Sequence, residues 1–593
     1  MRLSKLRSYA TQFGQDEPTF PSSIANKHAF TRSRRLQTSQ RNTASMGDVS
    51  QFEHSSLVSW AFSGEYDPTK PVLLDAMRPD RNISKQTATK LVAGLAGAFR
   101  EDSTVCLHLS NDILYPILVH AIWASKCRWT GTNTAYTSPE LEHHFRISET
   151  RYVVTEVEHL ETVRAAVDHS GTKVEVILFS DILYSRSRVQ DDHRRCCARR
   201  SSSSEPHKNR YRTLHDLLRH DSTREDLEAR LEKIDIDSIA TLMSTSGTTG
   251  PPKMAARTHR AHMTESRAAA DNDAAKDYEI RRLWCVPIFH GFAFPTMVIN
   301  SLRLGIPGYF MKRYVDNTYA DKVHEFQITE TLAPPPMLLR LVNSPLSHPK
   351  IQSLKIVGTG GAPCVGELRA KFLKLYDEKP PSIIQIWGMT EGGWYTTFKY
   401  PEADDPVSVG RPIPGFEIKM SEENRSQLTG GQEVGELFVR GPEMMSEYLG
   451  NPEATAKAFV DGWLRTGDVG YIKDGKVYLV DRAKDLIKVN GWQVSPSEIE
   501  DALLVSRDVK DAAVIGVGEG ISEHPMAFVV RANEHDGGVS AYALKDHLLR
   551  RLTRYKVASC EIRFVDTIPK SATGKILKNK LREMAASEDP YKL

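Results

Sequence analysis

Cysteine is sparse and unpaired in this chain, with seven among 593 residues and only Cys196-Cys197 adjacent. No pair has zinc-site spacing, and the scatter points to a reducing compartment rather than a disulfide framework. A charge excess of one sign is missing too. The 78 basic and 75 acidic residues leave a formal charge of +3, so nucleic acid is not an expected partner. Long apolar runs are also absent. The longest, 113–124, contains Pro116 and His120; at 1.5 Å per helical residue it is too short to cross a bilayer and reads as a buried helix. The length exceeds what one hydrophobic core organises, so two or three units are expected. Nothing in the sequence specifies an oligomeric state.

Residues 1–50 read as a disordered extension. They carry Arg2, Lys5, Arg7, Arg32, Arg34, Arg35 and Arg41 against Asp16 and Glu17, without a clear amphipathic targeting helix. The last residues, Tyr591-Lys592-Leu593, share two positions with the Ser-Lys-Leu peroxisomal address, so peroxisomal import stands beside a cytoplasmic location. Residues 185–212 are rich in Arg and Ser, with Ser201 to Ser204 consecutive, and read as a disordered insertion because little apolar surface offsets the entropy of ordering. Elsewhere strand-like runs such as Val72-Leu73-Leu74 alternate with helix-like ones such as 84–99, the pattern of an α/β sheet. Beyond Ile487 the pattern shifts to a smaller α+β unit: helix 497–504, strands 512–517 and 527–531, helix 541–552.

The segment Ser244-Thr245-Ser246-Gly247-Thr248-Thr249-Gly250-Pro251-Pro252-Lys253 can wrap a polyphosphate. Glycines let backbone N–H groups face an anion, the hydroxyls add donors and Lys253 adds positive charge. A Walker loop needs Gly-Lys-Ser/Thr in succession, and the two prolines before Lys253 remove that reading. Strand-like Ile239 to Met243 runs straight into this loop, at a sheet edge where open α/β folds bind ligands.

Further segments follow in fixed order: Thr258-His259, Pro287-Ile288-Phe289-His290-Gly291, Gly360-Gly361-Ala362-Pro363, Gln385 to Glu391, Gly410-Arg411-Pro412, Thr466-Gly467-Asp468, Asp481 to Lys488, Gly491-Trp492-Gln493 and Lys570 to Lys575. Together they resemble the adenylate-forming superfamily of acyl-CoA synthetases, amino-acid adenylation domains and firefly-type luciferases, 4-coumarate-CoA ligases among them, over most of the chain. The resemblance implies an α/β fold with a large N-terminal domain of layered α/β subdomains (51–483) and a small α+β C-terminal lid (484–593). It also implies ATP, Mg2+ and coenzyme A as reactants or cofactors. Thr245, Ser246, Gly247, Thr248, Thr249, Gly250 and Lys253 would hold the phosphates, and Gly361, Ala362, Trp387, Gly388, Met389 and Thr390 would line the nucleotide. Trp387, where tyrosine is commoner, would stack on adenine. Asp468 would accept from the ribose hydroxyls with Arg482 as its partner. Glu391 would ligate magnesium.

By the same resemblance, Lys575 would bridge the substrate carboxylate and the α-phosphate during adenylation. Lys488 and Gln493 would serve the second step, Gly491 would approach the pantetheine arm of coenzyme A, and Lys484 would be the hinge. His290 and Gly360 would border the acyl pocket. After His290 no acid stands where amino-acid adenylation domains hold an ammonium, which favours an apolar, aromatic or medium-chain carboxylate. The expectation is an ATP-dependent acid–thiol ligase forming acyl-AMP and then acyl-CoA. A stand-alone enzyme loading a carrier-protein phosphopantetheine, a luciferase-type oxygenase and a non-catalytic nucleotide-binding regulator are the alternatives.

Overall fold

The computed structural model describes residues 56–184, 211–245, 252–270, 275–361, 364, 366–402, 405, 407–423, 425–427, 431–489, 492–518, 523–532, 539–571 and 574–587. The expected extension 1–50 and nearly all of the expected insertion lie outside them. Arg212, expected within the insertion, is instead in a strand: Arg212–Thr213 pairs in parallel with Glu175–Leu178, and Arg212 Nη1 reaches Glu175 at 3.0 Å. Backbone pairing at a sheet edge needs no apolar side chains, which is why composition placed the boundary too late.

Two large, mainly parallel sheets organise the N-terminal domain. The first has eight strands, with Thr104–His108 central and Ile239–Ser244 leading toward the phosphate loop. The second has nine; its parallel strands include Arg282–Trp284, Glu330–Leu332, Ile356–Gly360 and Ser382–Met389. A six-stranded antiparallel sheet follows, containing Glu433–Arg440, Trp463–Lys473 and Lys476–Arg482. One continuous core joins all three, running from Val105 and Trp129 through Ile356 and Ile386 to Leu437 and Leu464. The apolar run forms helix Leu114–Ala124 with every residue buried, as a helix without a polar face must be. Trp123 anchors it by donating Nε1–H to the Ala240 carbonyl at 2.9 Å. No helix among the described residues is long and apolar enough to cross a membrane.

The C-terminal domain has its own core, built from Val494, Ile499, Leu503, Val514, Val529 and Leu548 among others. Helix Pro496–Leu504 packs on the sheet Val509–Val517, His524–Arg531 and Glu561–Phe564. The helix expected to reach Leu552 stops at Leu549, and Arg554–Val557 forms a separate turn of helix. The fold is thus a large N-terminal α/β domain carrying a small C-terminal α+β domain, as expected.

Candidate active site

Strand Ile239–Ser244 of the eight-stranded sheet and strands Ile356–Gly360 and Ser382–Met389 of the nine-stranded one carry the motif residues at their C-terminal ends. Ser244 pairs with Met254, and the loop between them is closed at its neck by Thr245 N–H to the Lys253 carbonyl (2.9 Å) and Lys253 N–H to Thr245 Oγ1 (3.1 Å). Ser246 to Gly250 lie outside the described residues. The Lys253 ammonium sits 4.4 Å above the Tyr448 ring, and the Tyr448 hydroxyl donates to Glu391 Oε1 at 2.7 Å. One buried tyrosine therefore ties the loop lysine to the buried Glu391 carboxylate. Tyr448 was not singled out from the sequence. It reaches the site because Glu447–Tyr448 pairs with the strand following the phosphate loop, at Ala256 and Ala255.

Gly388, Met389 and Thr390 stay at least partly exposed at the end of strand Ser382–Met389. A Cβ at Gly388 would lie 2.1 Å from the Gly393 carbonyl oxygen, so the bulged turn there requires glycine. Trp387 is 5% exposed and edge-on to Tyr395 (centroids 5.2 Å, planes at 82°). Its Nε1–H donates to Asp468 Oδ2 at 2.8 Å, while Arg482 Nε donates to Asp468 Oδ1 at 2.6 Å. Asp468 and Arg482 are cross-strand partners. Burial raises the Asp468 carboxyl pKa; Arg482, the Trp387 hydrogen bond and Lys575 oppose that shift.

His290, Phe292, Gly360 and Trp394 come together nearby. A Cβ on Gly360 would lie 2.8 Å from the Phe292 ring, and Trp394 Nε1–H donates to the Phe292 carbonyl at 3.2 Å. His290 Nδ1 accepts the Phe292 N–H at 3.3 Å, which puts the neutral ring's proton on Nε2. Burial, then the Lys575 charge, push this imidazole down to about 4. Gly361 has a left-handed backbone (φ 81°) with open space at its Cα; Ala362 lies outside the described residues. A cavity of about 70 Å³ is lined by Trp284, Leu332, Ile386 and Trp394 together with the charged Lys276, Arg282 and Glu330.

The C-terminal domain presents Lys575 from a tight loop. Ser571 N–H donates to the Lys575 carbonyl (2.8 Å), Lys575 N–H to Ser571 Oγ (3.1 Å), and Lys570 bridges to Ile576. Gly574 has φ 82°, and a Cβ there would come within 2.5 Å of Pro336, so the loop is pressed directly on the large domain. Burial, then Arg482 and Lys484, push the Lys575 ammonium down to about 8 against the pull of Asp468 and Asp485. Lys488 and Gln493 are cross-strand partners in the hairpin Ile487–Val489 and Trp492–Val494, whose Ile487 and Val494 are buried in the small domain's core. Their side chains, and Gly491, lie outside the described residues.

Behind the site lies a buried charge cluster that sequence reasoning missed. Arg257 Nη1 pairs with Glu265 at 2.9 Å, and Arg257 Nε donates to the Glu443 carbonyl at 3.1 Å. Glu265 Oε1 receives the Trp394 N–H at 3.3 Å. Both carboxyl oxygens of Glu443 are buried without a hydrogen-bond partner among the described residues. The one signal was an arginine inside the apolar run Met254-Ala255-Ala256-Arg257.

The sequence matches the family described as AMP-binding enzyme over residues 66–449 and AMP-binding enzyme C-terminal domain over 498–575. An acyl-CoA ligase, M9, of Phoma sp. is 49% identical over 532 residues, covering 89% of this chain and 95% of that protein. A phenylacetyl-CoA ligase, epaB, of Aspergillus niger is 35% identical over 549 residues, covering 89% and 96%. The crystal structure of a benzoate CoA ligase from Burkholderia xenovorans LB400 shares the fold, with a TM-score of 0.72 at 20% identity over 89% of this chain and 99% of that one. The expected resemblance is borne out, and the chain belongs to the AMP-binding enzyme family.

Proposed function

We propose that this protein is an AMP-forming acyl-CoA ligase. The observation that carries the reading is the convergence of Lys575, from the small domain, with Asp468, Arg482 and His290 of the large one, in a chain 49% identical to a protein named an acyl-CoA ligase. In the first step a carboxylate oxygen attacks the α-phosphorus of ATP, the bond to the β-phosphate oxygen breaks and pyrophosphate leaves. Lys575 matches the negative charge developing between the two reactants, a contribution of about 2.7 to 4 kcal/mol for one such donor. In the second step the thiolate of coenzyme A attacks the acyl carbonyl and AMP leaves.

Asp468 accepts from the ribose, and Arg482 balances its charge. Thr245 and Lys253 border the triphosphate with Ser246 to Gly250, and Gly361, Ala362, Gly388, Met389 and Thr390 border the nucleotide. Glu391 suits Mg2+: it is a hard oxygen donor with Oε1 held by Tyr448 and no hydrogen bond to Oε2 among the described residues, and magnesium commonly takes one or two carboxylates beside phosphate oxygens. The ion would neutralise phosphate charge there.

The reading takes Lys484 as the pivot between 51–483 and 484–593. Two anchors flank it: Arg482 is tied to Asp468 of the large domain, and Asp485 to Lys578 and Arg582 of the small one. After rotation Lys488, Gln493 and Gly491 would serve thioester formation. The neutral His290 and the Gly360–Phe292 contact border the carboxylate, and the rings of Phe292 and Trp394 beside them favour an apolar or aromatic acyl group.

The test is AMP and pyrophosphate release with a panel of aromatic and medium-chain acids, with free coenzyme A or a phosphopantetheinylated carrier as acceptor. Acid-dependent acyl-CoA is the expected product. Transfer only to the carrier would give the carrier-loading alternative, and ATP binding without pyrophosphate release for any acid would refute the enzyme reading.

A further inference from the structure

The role implied for Trp387 is stacking on adenine, yet the hydrogen bond of its indole points elsewhere. The ring is almost fully buried, edge-on to Tyr395, and its single polar atom is committed to Asp468 Oδ2 at 2.8 Å. Arg482 Nε holds the other oxygen at 2.6 Å. A carboxylate gripped at each oxygen by a donor from a different segment has its plane fixed. An ionised carboxylate offers about four lone-pair sites, so two remain, at a set angle, for further donors. The indole N–H only donates and cannot reverse its role as a hydroxyl can.

We infer that Trp387 is a positioning residue: its indole N–H holds the Asp468 carboxylate in the plane that receives the two ribose hydroxyls of ATP, so Trp387 acts on the nucleotide through Asp468. This rests on the proposed reading of Asp468 as the ribose acceptor. Trp387→Phe keeps an aromatic ring and removes the donor. In the full chain, acid-dependent ATP–pyrophosphate exchange gives KM for ATP, 2′-deoxy-ATP and 3′-deoxy-ATP.

Wild type should prefer ATP over each deoxy analogue. Trp387→Phe should raise KM for ATP about tenfold, the worth of one hydrogen bond to a charged group, and KM for each deoxy analogue, which keeps one hydroxyl on Asp468, by less, about threefold. Added to Asp468→Asn, it should cost little more, because the two act as one unit. KM ratios within one enzyme do not depend on the fraction folded. An equal loss for ATP and its deoxy analogues, or full additivity with Asp468→Asn, would overturn the inference in favour of adenine contact or packing. A wild type indifferent to the ribose hydroxyls would overturn the reading of Asp468 itself, and the inference with it.

Discussion

Lys575→Met removes the charge from the loop tip and keeps most of its volume. On the proposed reading, adenylation falls by about 10² to 10³, the cost of one preorganised donor at developing negative charge. Thioester formation from supplied acyl-AMP and coenzyme A is retained. A pH profile sharpens the claim, because burial and the charges of Arg482 and Lys484 push Lys575 down to about 8. Below that pH the ammonium is charged and competent. Above it, kcat/KM for pyrophosphate exchange, which reports the free enzyme, falls about tenfold per pH unit. Bound triphosphate adds negative charge, so the limb in kcat lies at higher pH. Dividing wild-type rates by those of Lys575→Met cancels the ionisation of ATP and acid and leaves the lysine limb alone. Between about 8 and 10.5 the unfolded chain binds more protons at this lysine than the folded one, so wild-type stability rises relative to the variant with increasing pH. A flat ratio from pH 7 to 9.5, or equal loss in both half-reactions, refutes the division of labour.

Gly360→Ala places a methyl 2.7 Å from the Ile386 carbonyl oxygen and 2.8 Å from the Phe292 ring; both must shift, and KM for the acid rises more than KM for ATP, as steady-state kinetics with each substrate varied will show. Glu443→Gln and Glu265→Gln should diverge in thermal melting. Burial and the Glu265 charge hold Glu443 far above the carboxylate range, so it folds protonated, and wild-type stability falls as pH rises past about 4.5. The glutamine mimics that neutral form, giving a higher melting temperature at pH 7 and none of the gain near pH 4. Glu265→Gln strands buried Arg257, a loss of about 3 to 5 kcal/mol. Asp501→Ala removes the acceptor of the Glu367 N–H across the domain junction and weakens the present lid orientation by about 1 kcal/mol. Adenylation should drop up to about fivefold with the thioester half-reaction unchanged, as separate assays of each step will test.

The elements legible in the sequence were those whose side-chain pattern is local. Ile239 to Met243 is a short apolar run before glycines, and 114–124 is apolar all round; both formed as expected. The small domain's first helix and two strands also formed, but the strands start three residues early, at Val509 and His524, and the helix from Ala541 stops early at Leu549. Contacts that define the site's electrostatics were not legible, because they join segments far apart in the chain. Trp387 and Asp468 are 81 residues apart, Tyr448 and Glu391 57, and Arg257 and the Glu443 carbonyl 186. No periodicity encodes such pairs. The family resemblance supplied residue types but not the indole–carboxylate bond, since a tyrosine at position 387 would carry its polar atom elsewhere on the ring.

The small domain is held on the large one by a short set of polar and packing contacts among the described residues. In the present orientation it rests on Asp501 with the Glu367 N–H, Lys371 with the Leu504 carbonyl, Ser495 and Ser497 with Asp481, and the packing of Gly574 on Pro336. Each of these bonds involves a charged side chain, so each is worth about 1.5 to 3 kcal/mol where buried and less where solvent screens it. A ligand shifts such an equilibrium by no more than its differential affinity for the two orientations. On the proposed reading Lys575 would supply that difference when ATP is present, since its ammonium is desolvated here with Arg482 and Lys484 as like-charged neighbours. Bound triphosphate would relieve this repulsion and favour the docked loop. Once pyrophosphate leaves, the same desolvated ammonium would face less compensating charge, and the balance would tip toward the proposed rotation about Lys484. On that reading the same buried lysine would serve both catalysis and timing.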